Sequence, residues 1–455
     1  MYTNTTRTHL TEDVENTLLR LASSTLARLK ENRNLVYNLL AFVDVMKSIG
    51  GVALAIAILL AMVTIHEFGH YVAGKLLGFK INEFAVGFGP AIFKKRSKKT
   101  GEQFSLRIIP LGGYCAFDGE DEIDEPEKEE PFEEMTAPKE ENEGGMVEAN
   151  DEKKEEYPEP KGARFNDQAP WKRIIVLIAG ATMNYLLALV LIVTMFTFIG
   201  RPVYQIIKSE PPENPTQNAV QTYNEGLQTG DTVLEINGKR MYLITDWQSA
   251  LDGKKKGEVV DILILRDGKE KTLQIALYED ASVASMQDNS AIFFSLGIAC
   301  REEVTDENGN VKLELTRGGA LQPTTVKGGF FETVGTSFAY SWKIGGTVLR
   351  SLGELLTGKL GMDAVGGPIT TIKVTSEAAS SSLMSFLNIA ALIGVNLAVF
   401  NLLPVPALDG CKVIFCLIEW IRRKPVNRKV EAWIHFGGII FLFGFAILVD
   451  LLQLF

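Results

Sequence analysis

Four long apolar stretches dominate the hydrophobic pattern, at residues 49–65, 174–200, 383–403 and 433–455. A bilayer core takes about 20 helical residues, and each stretch comes near that length with few charges inside it. The pattern predicts four membrane-spanning helices, the first running on through "HEFGHYVAGK". Between the first two lies "EFAVGFGPAIFKKRSKKTGEQFSLRIIPLGGYCAFDGE", whose β-branched and aromatic runs are broken by Gly87, Gly89, Pro90, Gly112 and Gly113. That punctuation predicts short strands and turns. Residues 201–330 read as a soluble α/β module. "GLQTGDTVLEINGKRM" gives a turn, a strand and a tight hairpin at Asn237-Gly238. "DWQSALDG" gives a short helix, and "VVDILILRDGKEKTLQIAL" two alternating strands around Asp267-Gly268. Residues 330–360 place Trp342, Leu349, Leu352 and Leu356 at helical spacing, which predicts an amphipathic helix lying on the outer leaflet.

Charge changes this picture in one place. The chain of 455 residues carries a formal net charge of −10. Residues 118–161 alone hold 20 Asp/Glu against 5 Lys, so the rest of the chain is net positive. High charge, low hydrophobicity and interspersed prolines predict a solvated, disordered loop there. No basic stripe with interleaved aromatics suggests nucleic acid as a partner. Cys115, Cys300, Cys411 and Cys416 form no CxxC pattern and read as free thiols rather than metal ligands.

Lys and Arg gather after the first span (Lys75 to Arg107), before the second (Lys172, Arg173) and between the third and fourth (Arg422 to Lys429). Short loops rich in Lys and Arg stay in the cytoplasm, so these face inward and the 200–380 region faces outward. Residues 1–45 fit this poorly because their five Lys/Arg would lie outside. They read either as a surface helix or as a segment preceding a natural start at Met46.

His66, Glu67 and His70 follow directly on the first apolar run. Residues i and i+4 share one helix face about 5–6 Å apart, so both imidazoles can meet one ion. Glu67, one residue on, is placed to act as general base on a water at that ion. Ionisable groups inside a membrane cost about 2.5–3.5 kcal/mol each, which argues for a function at this place. A hydrolytic zinc needs a third protein ligand and an open position. The candidate is Asp409 in "VNLAVFNLLPVPALDGCKV", where Pro404 and Pro406 break the third span near the same membrane face as His66 and His70. Asn396 and Asn401 add amides to that segment as candidate substrate-binding groups. His435 reads as interfacial rather than as a ligand, and Asp450 as reaching the interface.

These residues resemble a family. "HEFGHYVAG" on the first span, "PLGGY", "NLLPVPALDG" ending the third and "GLQTGD…INGK" between the second and third are similar to the site-2 proteases of the bacterial regulator of sigma-E type. The resemblance covers residues 46–455 apart from the acidic stretch. It implies an intramembrane zinc metalloendopeptidase, with Zn²⁺ on His66, His70 and Asp409 and with Glu67 as catalytic base. Asn401 and Asn396, with Gly112, Gly113 and Tyr114 of "PLGGY", would meet substrate. Gly226, Leu227, Gly230 and Asp231 would form the loop of a single PDZ domain. "GGPI" at 366–369 matches a family motif, and "AGATMNYLLA" retains Asn184 but has Ala181 where the family usually has Pro.

The implied fold is an α-helical multi-pass membrane protein. It has four transmembrane helices, cytoplasmic β-hairpin and loop elements, and an inserted α+β PDZ domain. The divisions are an extension (1–45), the first span with HExxH and membrane-associated strands (46–117), and the acidic loop (118–165). Then come the second span (166–200), the PDZ module (201–330), a juxtamembrane segment (331–382) and the last two spans (383–455). The implied partners are the lipid bilayer and single-span membrane proteins already trimmed by another protease, such as anti-sigma factors or signal-peptide remnants. The implied place is the bacterial cytoplasmic membrane, with the active site toward the cytoplasm and the PDZ domain outside. The alternative is a non-catalytic membrane PDZ scaffold that binds exposed protein tails.

Overall fold

The computed structural model describes residues 46–120, 157–208, 226–281, 290–299, 301–305, 311–315, 320–361 and 365–454. The extension at 1–45, most of the acidic stretch and Cys300 lie outside the described residues. The chain begins with α1 (Met46–Leu77), β1 (Ile81–Arg96), β2 (Gln103–Phe117), a 3-10 turn at Phe165–Asp167 and α2 (Pro170–Phe198). It continues with β3 (Arg201–Ile207), β4 (Thr232–Ile236), β5 (Lys239–Arg240), α3 (Ile244–Leu251), β6 (Val259–Arg266), β7 (Lys269–Ala276) and α4 (Ser290–Ser295). Next are β8 (Arg301–Thr305), β9 (Val311–Leu315), β10 (Ala320–Val326) and α5 (Phe330–Leu356). The chain closes with α6 (Pro368–Ser381), α7 (Leu383–Asn401), α8 (Asp409–Arg422) and α9 (Arg428–Leu454).

Among the described residues, α1, α2, α7 and α9 are long and apolar enough to cross a membrane. The first runs through His66 and His70 to Leu77, as its sequence predicts. In lipid, helices gain little from hiding apolar surface, so small side chains that let backbones approach drive their packing. On α2 the buried positions include Gly180, Ala181, Asn184 and Ala188. On α7 they include Ala390, Ala391, Gly394 and Ala398. A Cβ added at Gly394 would lie 3.0 Å from Ala188 Cβ and 3.3 Å from both the Asn184 carbonyl oxygen and Met62. One added at Gly69 of α1 would lie 2.4 Å from the Ala179 carbonyl oxygen of α2. Ala181 is itself buried in an unbroken α2, so the absence of a proline there leaves the helix continuous.

The region after α1 predicts short strands, yet it forms two strands of 16 and 15 residues that fold over one another. Gly87 (φ +86°) and Gly89 (φ +82°) let β1 turn back in the middle. The register places 91–96 beside 103–107, 103–106 beside 83–86, and 83–86 beside 113–116. Residues 113–117 are therefore an edge, paired on one side only within the sheet. Phe79, Phe117 and Phe165 pack this sheet against α2 through Val176 and Leu177.

Residues 201–326 form an α+β unit whose sheet runs β10-β3-β4-β6-β7, with β5 paired to β4. Both predicted hairpins are present, with φ of +50° and +73° at Asn237-Gly238 and the same values at Asp267-Gly268. Trp247, Leu227, Ile236, Met241 and Ile262 are fully buried in its core. The unit rests on α5, where Lys343 bonds Asp246 at 2.8 Å and the Arg240 carbonyl at 2.9 Å. As the spacing predicts, α5 is amphipathic. Its small and polar Thr336, Ser337 and Ser341 are buried while Trp342, Leu349 and Leu356 face outward.

Asp450 does more than reach an interface. Its carboxylate accepts hydrogen bonds from the backbone N–H of Ile369 (3.0 Å) and Thr370 (3.3 Å) and from the Thr370 hydroxyl (3.0 Å). It thereby caps the N-terminus of α6, where an acid is favoured by the unpaired N–H groups. Gly367 of "GGPI" is needed for that approach, since a Cβ there would lie 2.4 Å from the Asp450 carboxyl carbon.

Candidate metal centre

Two helices bring three donor atoms to a common point. His66 and His70 lie one turn apart on α1, with their Nε2 atoms 3.1 Å apart. Asp409 is the first residue of α8, and its Oδ2 lies 3.0 Å from His66 Nε2 and 3.4 Å from His70 Nε2. Four ligands at zinc–nitrogen and zinc–oxygen distances of about 2.0–2.1 Å define a tetrahedron with edges of about 3.3 Å. The three observed separations are close to that edge, so His66, His70 and Asp409 fit a metal ion of this size. Among the described residues this is a group of His and carboxylate donors able to hold a metal.

The surrounding backbone explains how the donors are aimed. His70 Nδ1 lies 2.8 Å from the Val176 carbonyl oxygen of α2. A carbonyl only accepts, so Nδ1 carries the proton and the Nε2 lone pair faces Asp409. Gly180 leaves room for both rings, since a Cβ there would lie 2.4 Å from His70 Nε2 and 2.8 Å from His66 Cε1. Asn184 and Asn401 each place an amide nitrogen 3.4 Å from His66 Nδ1.

Asp409 is set by an irregular turn. Ala407 has φ +77°, a conformation costly for a residue with a Cβ. His435 of α9 accepts a hydrogen bond from the Ala407 N–H at Nδ1, 3.1 Å away. Thus His435, read from the sequence as interfacial, braces the turn that delivers Asp409. Gly438 makes room for Pro406 of the same turn. Gly410 is required as well, because a Cβ would lie 2.3 Å from the Leu403 carbonyl oxygen. Arg173, buried in α2, pairs with Glu419 and ties α8 to the helical core.

Glu67 faces a cavity of about 320 Å³ shared with His70, Tyr114, Cys115, Asp409 and Lys412. Gly113 lies beside it, with the position of an added Cβ 3.5 Å from Glu67 Cγ. The "PLGGY" edge therefore borders the metal centre. Gly112 has φ +98° and packs under the Phe88 ring, so it shapes the edge. The Tyr114 hydroxyl donates to Glu83 Oε2 at 2.9 Å, and Arg107 donates to Glu83 Oε1 at 2.9 Å. Burial pushes the Glu83 carboxyl up, but hydrogen bonds from Ser105, Gln103, Tyr114 and Arg107 outweigh it and hold the group at about 2.

The other sequence candidates are dispersed. Asn401 joins the centre, whereas Asn396 opens on a separate cavity of about 440 Å³ lined by α5 and α7 residues such as Tyr340, Ile344 and Phe400. Gly226, Leu227, Gly230 and Asp231 lie in the α+β unit. There Leu227 is core, Gly230 has φ +100°, and the Gly226 carbonyl and Asp231 carboxylate accept from Arg266. Cys115, Cys411 and Cys416 are buried free thiols. Sequence reasoning did not find the roles of Asn184, Gly180 and His435. The only signal for the first two was their place in "AGATMN".

Residues 54–445 match Peptidase family M50. The chain belongs to that family. This peptidase is 28% identical over 431 residues to the "Regulator of sigma-W protease RasP" of Bacillus subtilis, across 84% of this chain and 92% of the relative. It is also 28% identical over 434 residues to the "Zinc metalloprotease RasP" of Bacillus licheniformis, across 84% of this chain and 93% of the relative. A solved PDZ domain of an SdrC-like protein from Listeria monocytogenes is 15% identical, with a TM-score of 0.13, covering 25% of this chain and 87% of that one. With its four apolar helices, the chain is a multi-pass membrane peptidase.

Proposed function

We propose that this peptidase is a zinc endopeptidase that cuts membrane-spanning segments of single-span proteins, using His66, His70 and Asp409 as ligands and Glu67 as base. The observation that carries this reading is the convergence of three donors at near-tetrahedral spacing, with Glu67 in the same cavity. The zinc metalloprotease name of a relative supports the choice of metal.

Zinc, when bound, supplies Lewis acidity toward water and the scissile carbonyl. Glu67 takes the proton from the attacking water and passes it to the leaving amine. A substrate helix keeps its amides in internal hydrogen bonds and has to unwind first. The one-sided edge at 113–117 offers main-chain partners to the unwound strand beside Glu67. Asn401 holds the substrate near the ion, and Asn396 touches it farther along α7. The unit at 201–330 is a PDZ domain outside the cell membrane that screens pre-trimmed substrates, and the catalytic end faces the cytoplasm. The short loops rich in Lys and Arg support that orientation.

The test is the zinc content of detergent-purified protein, together with cleavage of a reconstituted single-span substrate. Wild type should carry zinc and cleave, Asp409→Ala should lose both, and Glu67→Gln should keep zinc without cleaving. Full cleavage by Glu67→Gln would remove the role of base from Glu67, and folded wild type that neither holds zinc nor cleaves would return the chain to the scaffold reading.

A further inference from the structure

The two histidines of the centre are not oriented alike. His70 has a carbonyl at Nδ1, which fixes its tautomer. His66 has two amide groups there, from Asn184 and Asn401, each with its nitrogen 3.4 Å from Nδ1. An imidazole that gives its Nε2 lone pair to a metal carries its proton on Nδ1, and that proton needs an acceptor. Two NH₂ groups facing Nδ1 suit only the opposite tautomer. One of the amides therefore has to present oxygen when metal is bound.

The surroundings of the two amides differ. Asn184 is 1% exposed, and its Oδ1 is buried without a hydrogen-bond partner. A half rotation of its amide about the last side-chain bond exchanges nitrogen for oxygen in the same place. That single change supplies His66 Nδ1–H with an acceptor and the orphaned oxygen with a donor. Asn401 is only part-buried, so its oxygen has other access. One proton cannot satisfy both amides well, and once Asn184 takes it, the Asn401 NH₂ is left for other work.

We propose that Asn184 is the positioning residue that fixes His66 as a metal ligand through Nδ1–H to Oδ1, leaving Asn401 to act on substrate. This rests on the zinc reading above and adds a division of labour between two asparagines on neighbouring helices, α2 and α7.

The experiment measures zinc affinity of the purified full chain by competition with a chromogenic chelator, in wild type, Asn184→Leu, Asn184→Asp and Asn401→Leu. Asn184→Leu is expected to weaken zinc binding by about 10–100-fold. Asn184→Asp keeps an acceptor and should bind zinc close to wild type. Asn401→Leu should also bind zinc close to wild type while losing cleavage. In zinc-loaded, nitrogen-15 histidine-labelled protein, the His66 Nδ1–H signal should move downfield in Asn184→Asp and stay in place in Asn401→Leu, a readout that does not depend on the leucine variant at 184 folding. Equal zinc affinity in wild type and Asn184→Leu overturns the inference, as does a His66 signal that responds to residue 401 and not to 184. A wild type that binds no zinc would instead defeat the metal reading itself.

Discussion

The peptidase encloses an aspartate in each of its two main regions, Asp231 fully and Asp409 partly, and treats them in opposite ways. In the α+β unit, Asp231 is 1% exposed and almost fully matched. Arg266 reaches its two oxygens at 2.6 and 2.7 Å, and the Gln228 N–H adds a bond at 2.8 Å. In the membrane region, Asp409 faces two imidazole nitrogens, neither of which is a fixed cation like a guanidinium. A charge withdrawn from water, wholly or in part, needs compensation from somewhere. Where a guanidinium provides it, the acid is structural and holds a loop. Where only lone-pair donors stand opposite, a metal ion is a group that can supply the missing positive charge. The HExxH helix end lies beside the second kind of acid, and the α+β unit holds only the first.

The sharpest way to break the comparison is at Glu67. Glu67→Gln should lower cleavage by about 10²–10⁴-fold, the usual contribution of a general base, with zinc content unchanged by metal analysis. Next comes the structural acid. Asp231→Ala should destabilise the α+β unit by about 2–4 kcal/mol, because it strands Arg266 against a buried loop. Zinc content should not move, and a thermal melt of the full chain alongside metal analysis separates the two. Gly180→Ala should follow, with an overpacking cost of about 1–3 kcal/mol at the α1–α2 contact. Because the added carbon points at His70 Nε2, zinc affinity should fall along with stability. If stability falls and zinc affinity does not, the small residue serves helix packing alone.

The smallest effect belongs to the sheet beside the centre. Glu83 is held near 2 in the folded protein, below its ordinary 4.5. A depressed carboxylate contributes stability that is present above pH 4.5 and lost as pH falls toward 2. Glu83→Gln should remove that part of the acid sensitivity. Urea melts at pH 7 and pH 3.5 should therefore differ less in the variant than in wild type. An unchanged difference would show that the Arg107–Glu83–Tyr114 cluster does not support the edge next to Glu67.

Much of this was legible along the chain. Long apolar runs can only satisfy their backbone in lipid as helices, so their number and order follow from composition. Positions i and i+4 on one helix must share a face, so His66 and His70 follow from spacing. Asn-Gly and Asp-Gly between alternating runs admit the left-handed backbone of a tight hairpin, and both hairpins are present. Other features were hidden because they depend on approach between distant segments. The two strands after α1 look short in sequence because Gly87 and Gly89 interrupt them, yet the same glycines fold β1 over so that both halves pair with β2. Asp450 looks like a surface acid until α6, 81 residues earlier, offers its N–H groups.

The sequence by itself determined the spans, the paired imidazoles and the carboxylate one residue on, and it singled out the distant acid that lies against them, because periodicity and side-chain chemistry are local. Only the tertiary structure decided which backbone carbonyl orients His70, which two amides meet His66, and why residues 69, 180 and 410 have to be glycine. Those outcomes come from distances of a few ångströms between helices far apart in the chain. No pattern within one segment encodes how closely two segments will pack.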